Sequence, residues 1–510
     1  MGDENTPLDS TTAPHLLRRT CFGAPAEDVQ KLLNKTPNTP YTRGQAADLL
    51  LNFKPGTFKP TGRYIENVQT SWIKYMLKIK SRLKSATQSP LQEKLVLFWH
   101  DHFATSDAKV ENPSLMAFQN QTLRKLCMGN LKVLVKTIGK DPAMIEFLDT
   151  VRNFKDQPNE NYARELQELF TLGVFDAKGK ANYEQADIVQ IARCFSGWSY
   201  DNRPTKAVFH DYDHDFEGDF PDRGPKAVYL GAHGFGAMGY DLTQNGEGAP
   251  EIDTVIEAIF QHQDSDGQNT VARRIARRLF EYFAHGGFGD AIVWPSDVVQ
   301  AVDEVVTASG FGEPNWSIHD LVRAILVHDR FYDTAPPVSS PSSKKSVKWP
   351  VDYAVSTLRL LGVTLTGQSA YIAGGSYDAI VDHLANMGQE LLEPPSVFGW
   401  DWETSWINSA TLLARANFAR DITSSRGNGK THFHPEKLVN LGLTDPAAIV
   451  DAVADALGVK DDLSSAEKQD LQDYLTELGA AIDLHDYDFR NRKLNGLFAL
   501  VLQSPAFQLH

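Results

Sequence analysis

Apolar residues recur at helical spacing in segment after segment of this chain, and that period, more than any motif, restricts what it can fold into. In LQEKLVLFWHDHFATS, from Leu91 to Ser106, residues Leu95, Val96, Phe98 and Trp99 build a core-facing stripe, while Glu93 and His100 stand seven positions apart on a common face. His102 stands off that face. Two residues along a helix rotate the side chain by about 200°, so His100 and His102 share an ion only if the helix ends or unwinds near Asp101.

The run NENYARELQELFTLGV, Asn159 to Val174, predicts a second helix with Asn159 at its entry and Gly173 as its stop. Asn161, Glu165 and Glu168 fall at i, i+4 and i+7 on one side, and Tyr162, Leu166, Leu169 and Phe170 cover the other. Two carboxylates a turn apart repel when buried unless a cation or a shared proton relieves them, which is what metal sites and acid–base pairs supply. A solvated acidic face has the same pattern. Asp187, at the start of DIVQIARCFSGW, is a third acidic candidate, with an exposed first-turn acid as the plainer alternative.

Strand-like runs are few and confined to the middle, so the expected fold is mainly α: a large multi-helix globular bundle with an irregular Gly/His/Asp-rich central insertion over about residues 200–250. The expected organisation is a helical region over 1–333 that carries the His/Glu motifs, a Pro/Ser/Lys loop at 334–348, and a C-terminal helical region over 349–510 packed on the first. A long helix is expected from Ile65 to Ser85 with a Lys-rich solvent face. In the insertion, His210, Asp211, Asp213, His214 and Asp215 suit either a cation or a solvated turn, and Lys226 is placed to pair with one of those acids.

With 50 basic and 65 acidic residues the formal charge is -15, which argues against general affinity for nucleic-acid backbone or anionic lipid, although Arg273, Arg274, Arg277 and Arg278 form a local basic patch. Arg273 and Arg277 share a helix side that suits a substrate carboxylate or phosphate, and equally the protein's own acids. Trp400, Trp402 and Trp406 suit a stacking platform for sugar rings, or a loop locked onto the core beside Pro394, Pro395 and Gly399. Cys21, Cys127 and Cys194 lack the spacing of a zinc cluster and are too few for a disulfide framework; they read as buried thiols. No stretch approaches the roughly 20 apolar residues of a membrane span. MGDENTPLDSTTAPH lacks the charged and apolar regions of a secretion signal, as would a mature product from which one had been removed.

The segments HLLRRTCFGAP, EKLVLFWHDHFATS, NENYARELQELFTLGV, DIVQIARCFSGW, HDFEGDFPDRGPKAVYLG, VARRIARRLFEYF, KWPVDYAVSTLRLLG, MGQELLEPPSVFGWDWETSWINSATLLARAN and LQSPAF follow one another across almost the whole chain. In them the chain resembles the bacterial domain-of-unknown-function family 1800. The resemblance implies an exported, periplasmic or secreted protein of the cell envelope, with a second exported protein of sulfatase-like type as partner, and it implies no particular activity. The family's usual His-Thr-Leu-Gly is here Phe170-Thr171-Leu172-Gly173, and its usual Asn between the histidines is Asp101. These departures put a family-wide metal site in doubt, or move its ligation to His100, His102 and Asp101.

The expected function is hydrolytic or lytic cleavage of an extracellular glycan or related polymer. Glu165, Glu168, Asp187 and His100 would be catalytic, a divalent metal would sit among His100, His102, Glu165 and Glu168, and Trp400, Trp402, Trp406, Arg273 and Arg277 would hold substrate. The absence of a dinucleotide fingerprint or haem-attachment pattern favours hydrolysis over redox chemistry. The competing class is a non-catalytic helical envelope protein that docks a partner enzyme and uses the same polar residues as buried networks.

Overall fold

The computed structural model describes residues 2–60, 62–78, 83, 89–201, 206–284, 292–333, 346–363, 377–424, 433–477 and 481–510. Helices dominate it, and its centre is Pro90–His102, which is buried along its whole length. Ser89 opens that helix by accepting the Leu91 N–H at 3.2 Å, and Pro90 occupies the first turn, where a missing N–H costs nothing. The helix packs against Pro113–Leu126 and Thr12–Cys21.

A helix with no solvent face must satisfy every polar side chain internally. Glu93 accepts from Arg124 Nε at 2.8 Å, Arg124 Nη2 at 2.7 Å and Trp72 Nε1 at 2.8 Å. Gln92 donates to the Arg124 carbonyl at 3.2 Å. Lys94 pairs with Asp352, whose second ring-side neighbour is His510 Nε2 at 2.6 Å. Burial lowers the Lys94 ammonium and His510 imidazole, whereas the surrounding cations hold Asp352 below the usual carboxylate range against its own desolvation. The last of these contacts ties the early helices to Pro350–Leu360, so chain on both sides of the 334–348 segment meets in one core. Ile65–Lys78 likewise packs on Pro350–Leu360 and on Tyr377–Asn386. Most of the expected extension of Ile65–Lys78 to Ser85, and residues 334–345 of the Pro/Ser/Lys loop, lie outside the described residues.

The central insertion carries two short antiparallel pairs, Trp198–Tyr200 with Ala207–Phe209 and Ala227–Val228 with Tyr240–Asp241. Val228, Tyr229 and Leu242 bury it in the core, and buried charges pin it further. Asp215 accepts from Arg193 Nε at 3.1 Å and from Arg223 at 2.5 Å. Lys226 donates to both Glu251 oxygens at 2.9 and 2.8 Å and lies 3.2 Å from His214 Nε2. Lys226 therefore pairs with Glu251 and not with an acid of the 210–215 stretch, because the start of Glu251–Gln261 folds under the insertion. His214 and Asp215 are engaged in this scaffold, while Asp211 is exposed, so the five candidate ligands do not gather. All three cysteines are buried, as expected. No helix among the described residues is long and apolar enough to cross a membrane.

The Glu93–Arg124 pair yields a direct expectation. Arg124→Met leaves a fully buried carboxylate with only the Trp72 N–H, and should cost about 3–5 kcal/mol of unfolding free energy in urea titration. A loss under about 1 kcal/mol would show that the pair is dispensable.

Candidate functional site

His100 and His102 leave the central helix in different directions, as their spacing requires. His100 Nε2 accepts the Leu392 N–H at 3.1 Å, and its ring meets Trp72 and Trp400 edge-on at 5.7 and 5.3 Å. Burial drives its pKa down to about 3, so it is neutral with its Nε2 lone pair already used. His102 donates from Nε2 to the Phe170 carbonyl at 3.1 Å and stacks on Phe98 at 5.9 Å; burial, then Arg278, hold it well below the usual histidine range. Between them, Asp101 accepts the Trp400 N–H at 2.8 Å and Trp402 Nε1–H at 3.0 Å, with Arg278 at 3.4 Å. Its pKa rises to about 6, because desolvation outweighs Arg278. The three side chains are stitches: His100 and Asp101 hold the 390–402 loop, and His102 holds the end of the acidic helix.

That acidic helix departs from simple α periodicity. Asn161–Glu165 runs into a π-helix, Leu166–Thr171, whose end is closed by Leu172 and Gly173 both donating to the Gln167 carbonyl at 2.9 Å. Gly173 has φ +80° and acts as the expected stop, whereas the capping position is Glu160 with no side-chain cap, and Asn159, one residue earlier, accepts the Asn161 N–H at 2.9 Å through Oδ1. π-Turns inserted in α-helices concentrate at functional sites because they re-aim side chains.

Glu165 and Glu168 are half-buried on this element. Burial and the charge of Glu168 raise the Glu165 pKa to about 6. Glu168 accepts from the Tyr183 hydroxyl at 3.2 Å, while its backbone carbonyl accepts from Arg274 at 3.3 Å. The Tyr183 ring in turn lines a cavity of about 400 Å³ bounded also by Asp176, Asp187, Tyr229, His233 and His262. Asp187 is buried, accepting the Glu184 N–H at 2.8 Å and the Tyr229 N–H at 2.7 Å; desolvation raises its pKa. Both of its oxygens serve the cavity wall. His262, lowered to about 4 by burial, is a neutral part of the same wall.

The residues expected to act together are thus divided. Glu165 and Glu168 stay together, Glu168 meets the cavity wall through Tyr183, Asp187 borders that cavity, and His100 and His102 are buried apart from it. Among the described residues no group of three or more His, Cys, Asp or Glu side chains is arranged to hold a metal ion, so His100, His102, Glu165 and Glu168 do not form the expected ligand set. Arg273 is consumed by Asp264, Asp266 and Asp303 at 3.0, 2.9 and 2.7 Å. Arg277 pairs with Glu281 at 3.1 Å and lies over Trp294 at 4.6 Å. Trp400 and Trp406 are buried and Trp402 is half-buried, packed on Trp349 at 5.5 Å under Arg278 at 4.4 Å, so the tryptophans lock the loop rather than form an open platform. Sequence reasoning passed over Tyr183, and saw Arg274 and Arg278 only as part of a basic patch. Tyr183 opens the segment that contains Asp187, and nothing in the spacing shows that its hydroxyl returns to Glu168.

The fold and site define a large helical protein with an acidic pair set beside a polar cleft. The profile of a family described as a protein of unknown function (DUF1800) matches residues 15–509, and the chain belongs to that family. Comparisons with curated proteins and with solved structures find no match.

The loop stitch makes its own expectation. Gly399 has φ +80°, and a Cβ there would lie 2.4 Å from Asp101 Oδ1 and 2.7 Å from the Asp101 carbonyl oxygen. Gly399→Ala should therefore cost about 3 kcal/mol through backbone strain and overpacking, with altered tryptophan fluorescence. A wild-type melting curve would show that the loop is not held through Asp101.

Proposed function

We propose that this protein cleaves a glycan or related polymer by acid–base chemistry, with Glu165 as proton donor and Glu168 as its partner, oriented by Tyr183. The observation that carries this reading is the state of Glu165, which burial and then the neighbouring Glu168 hold protonated to about pH 6, one helix turn from the Glu168 carboxylate that hydrogen-bonds Tyr183 in the wall of a polar cleft. A group with a pKa near the working pH both holds and releases its proton, as a general acid must. In hydrolysis Glu165 would give its proton to the departing oxygen of the scissile bond. Glu168 would take a proton from the incoming water, whose oxygen joins the other fragment, and proton exchange with solvent would restore both carboxyls. Tyr183 would fix the partner carboxylate at the cavity wall, and Asp187 would set that wall by holding Tyr229. Action in the periplasm or outside the cell is part of the proposal and rests on family resemblance, as does a sulfatase-like partner.

A second reading, docking of a partner protein, is favoured by one feature. Val174, Phe175, Ile292 and Val293 are exposed apolar residues brought close by the Lys178–Val293 bridge and the Trp294 N–H bond to the Ala177 carbonyl at 3.0 Å.

The test is a reducing-end assay over a panel of polysaccharides. Glu165→Gln should lower turnover by about 10²–10⁴-fold with a melting temperature no lower than wild type, and wild-type activity should fall as pH rises through about 6, where Glu165 loses its proton. The same shift has a thermodynamic sign. Because the folded pKa lies above the reference value of 4.5, the stability Glu165 contributes is present below that value and lost as pH rises through about 6. Glu165→Gln should remove that slope. Equal turnover in wild type and Glu165→Gln would overturn the catalytic reading and leave docking.

A further inference from the structure

The cavity that Tyr183 lines holds about 400 Å³, within the range of roughly 300–1,000 Å³ typical of small-ligand sites. Two features of its wall are costly in themselves. The first is Tyr229, a bulky residue with φ +58°, in the left-handed region that favours glycine. Strained backbone of this kind persists only where its surroundings fix it. Here the Tyr229 N–H donates to Asp187 Oδ1 at 2.7 Å, the hydroxyl donates to Gln167 Oε1 at 2.9 Å, and the ring meets His262 edge-on at 5.1 Å.

The second feature is His262. It lines the cavity, is only 3 % exposed, and its Nδ1 lies 2.8 Å from the Thr270 hydroxyl. Nε2 is buried and has no hydrogen-bond partner among the described residues. Burial lowers the ring's pKa to about 4, and the Asn182 backbone, which favours the charged form, closes no hydrogen bond to Nε2. With Nδ1 turned to Thr270, Nε2 is the nitrogen left for the cavity, and a buried polar atom without a partner is destabilising. A hydroxyl completes it whichever ring nitrogen carries the proton, because a hydroxyl both donates and accepts.

The charged groups of the wall argue for a neutral occupant. Asp176 takes the Lys178, Lys180 and Ser265 N–H groups, Glu184 caps its helix by accepting the Asp187 N–H, and Asp187 takes the Glu184 and Tyr229 N–H groups. Among the described lining residues these three carboxylates stand against one ammonium, the exposed Lys180, which disfavours an anion. Backbone donors already fill the buried Asp176 and Asp187 oxygens that a cation would use. The Tyr183 and Tyr229 rings and Leu230, 63 % exposed, add apolar surface, so the wall suits a ring with hydroxyl edges and an apolar face.

We propose that this cavity is a subsite for one uncharged sugar residue, with His262 as its specificity-determining residue, bonding a sugar hydroxyl through Nε2. The choice of a glycan rests on the cleavage reading, and binding tests the subsite separately. In the full chain carrying Glu165→Gln, calorimetry would compare neutral glucose, galactose and mannose oligosaccharides with their uronate counterparts of equal length. At least one neutral ligand should bind, and more tightly than its uronate. His262→Phe, which keeps a ring but no nitrogen, should weaken that ligand about tenfold, the worth of one hydrogen bond. His262→Gln, which keeps a donor and an acceptor, should weaken it less. If His262→Phe does not fold, the ¹⁵N resonance of His262 Nε2 in the Glu165→Gln chain decides, since it should shift when the same oligosaccharide is added. No neutral ligand that binds more tightly than its uronate, equal affinity in a folded His262→Phe, or an unshifted resonance would each overturn the subsite. Binding that depends on His262 with no cleavage by the wild-type chain would sink the cleavage reading and leave the subsite standing; cleavage with KM unchanged in His262→Phe would do the reverse.

Discussion

The structure depends on burying a 13-residue helix on every side, Pro90–His102, although much of its sequence is polar or charged. Each such group becomes costly in a low-dielectric interior unless it is paired, so each dictates the position of a partner elsewhere in the chain. Glu93 calls in Arg124 and Trp72, Lys94 calls in Asp352, His100 the Leu392 N–H, Asp101 the Trp400 and Trp402 N–H groups, and His102 the Phe170 carbonyl. The packing of distant segments is in this sense an inventory of the polar demands of one helix.

Those demands also decide which residues are left for chemistry. Desolvation makes His100 and His102 neutral and hydrogen bonding occupies the contacting nitrogens, so residues that look like ligands in a list of motifs act as fasteners. The acidic helix they fasten is treated differently. Its two glutamates remain half-buried, close enough for one to raise the pKa of the other, and Tyr183 connects Glu168 to the cleft.

The two arginine-rich places on Thr270–Phe283 make the same contrast within one helix. Arg273 is surrounded by three aspartates and belongs to the scaffold. One residue later, Arg274 has turned by about 100° and reaches the Glu168 carbonyl, with Arg278, Arg277 and the single acid Glu281 acting on it. Side-chain type predicts neither fate; the number of acids brought to each side of the helix does.

Helical spacing carried most of the architecture in readable form. The stripe through Leu95, Val96, Phe98 and Trp99 is buried, as are Val271, Ile275, Leu279 and Phe280, and the irregular middle holds two short strand pairs among its described residues. The common face of Glu93 and His100 was legible too, since both touch Trp72. The pairing of Glu165 with Glu168 followed from their separation of three residues. Local spacing, however, says nothing about depth or about partners remote in sequence. Arg124 sits on Glu93, Tyr183 returns to Glu168, and the loop near Trp400 closes over Asp101 only once the chain has folded. The sequence by itself determined which faces seek the interior, because periodicity is a property of neighbours. Tertiary structure decided which polar groups were sealed and which kept water, because desolvation and pairing depend on what the rest of the chain lays over them.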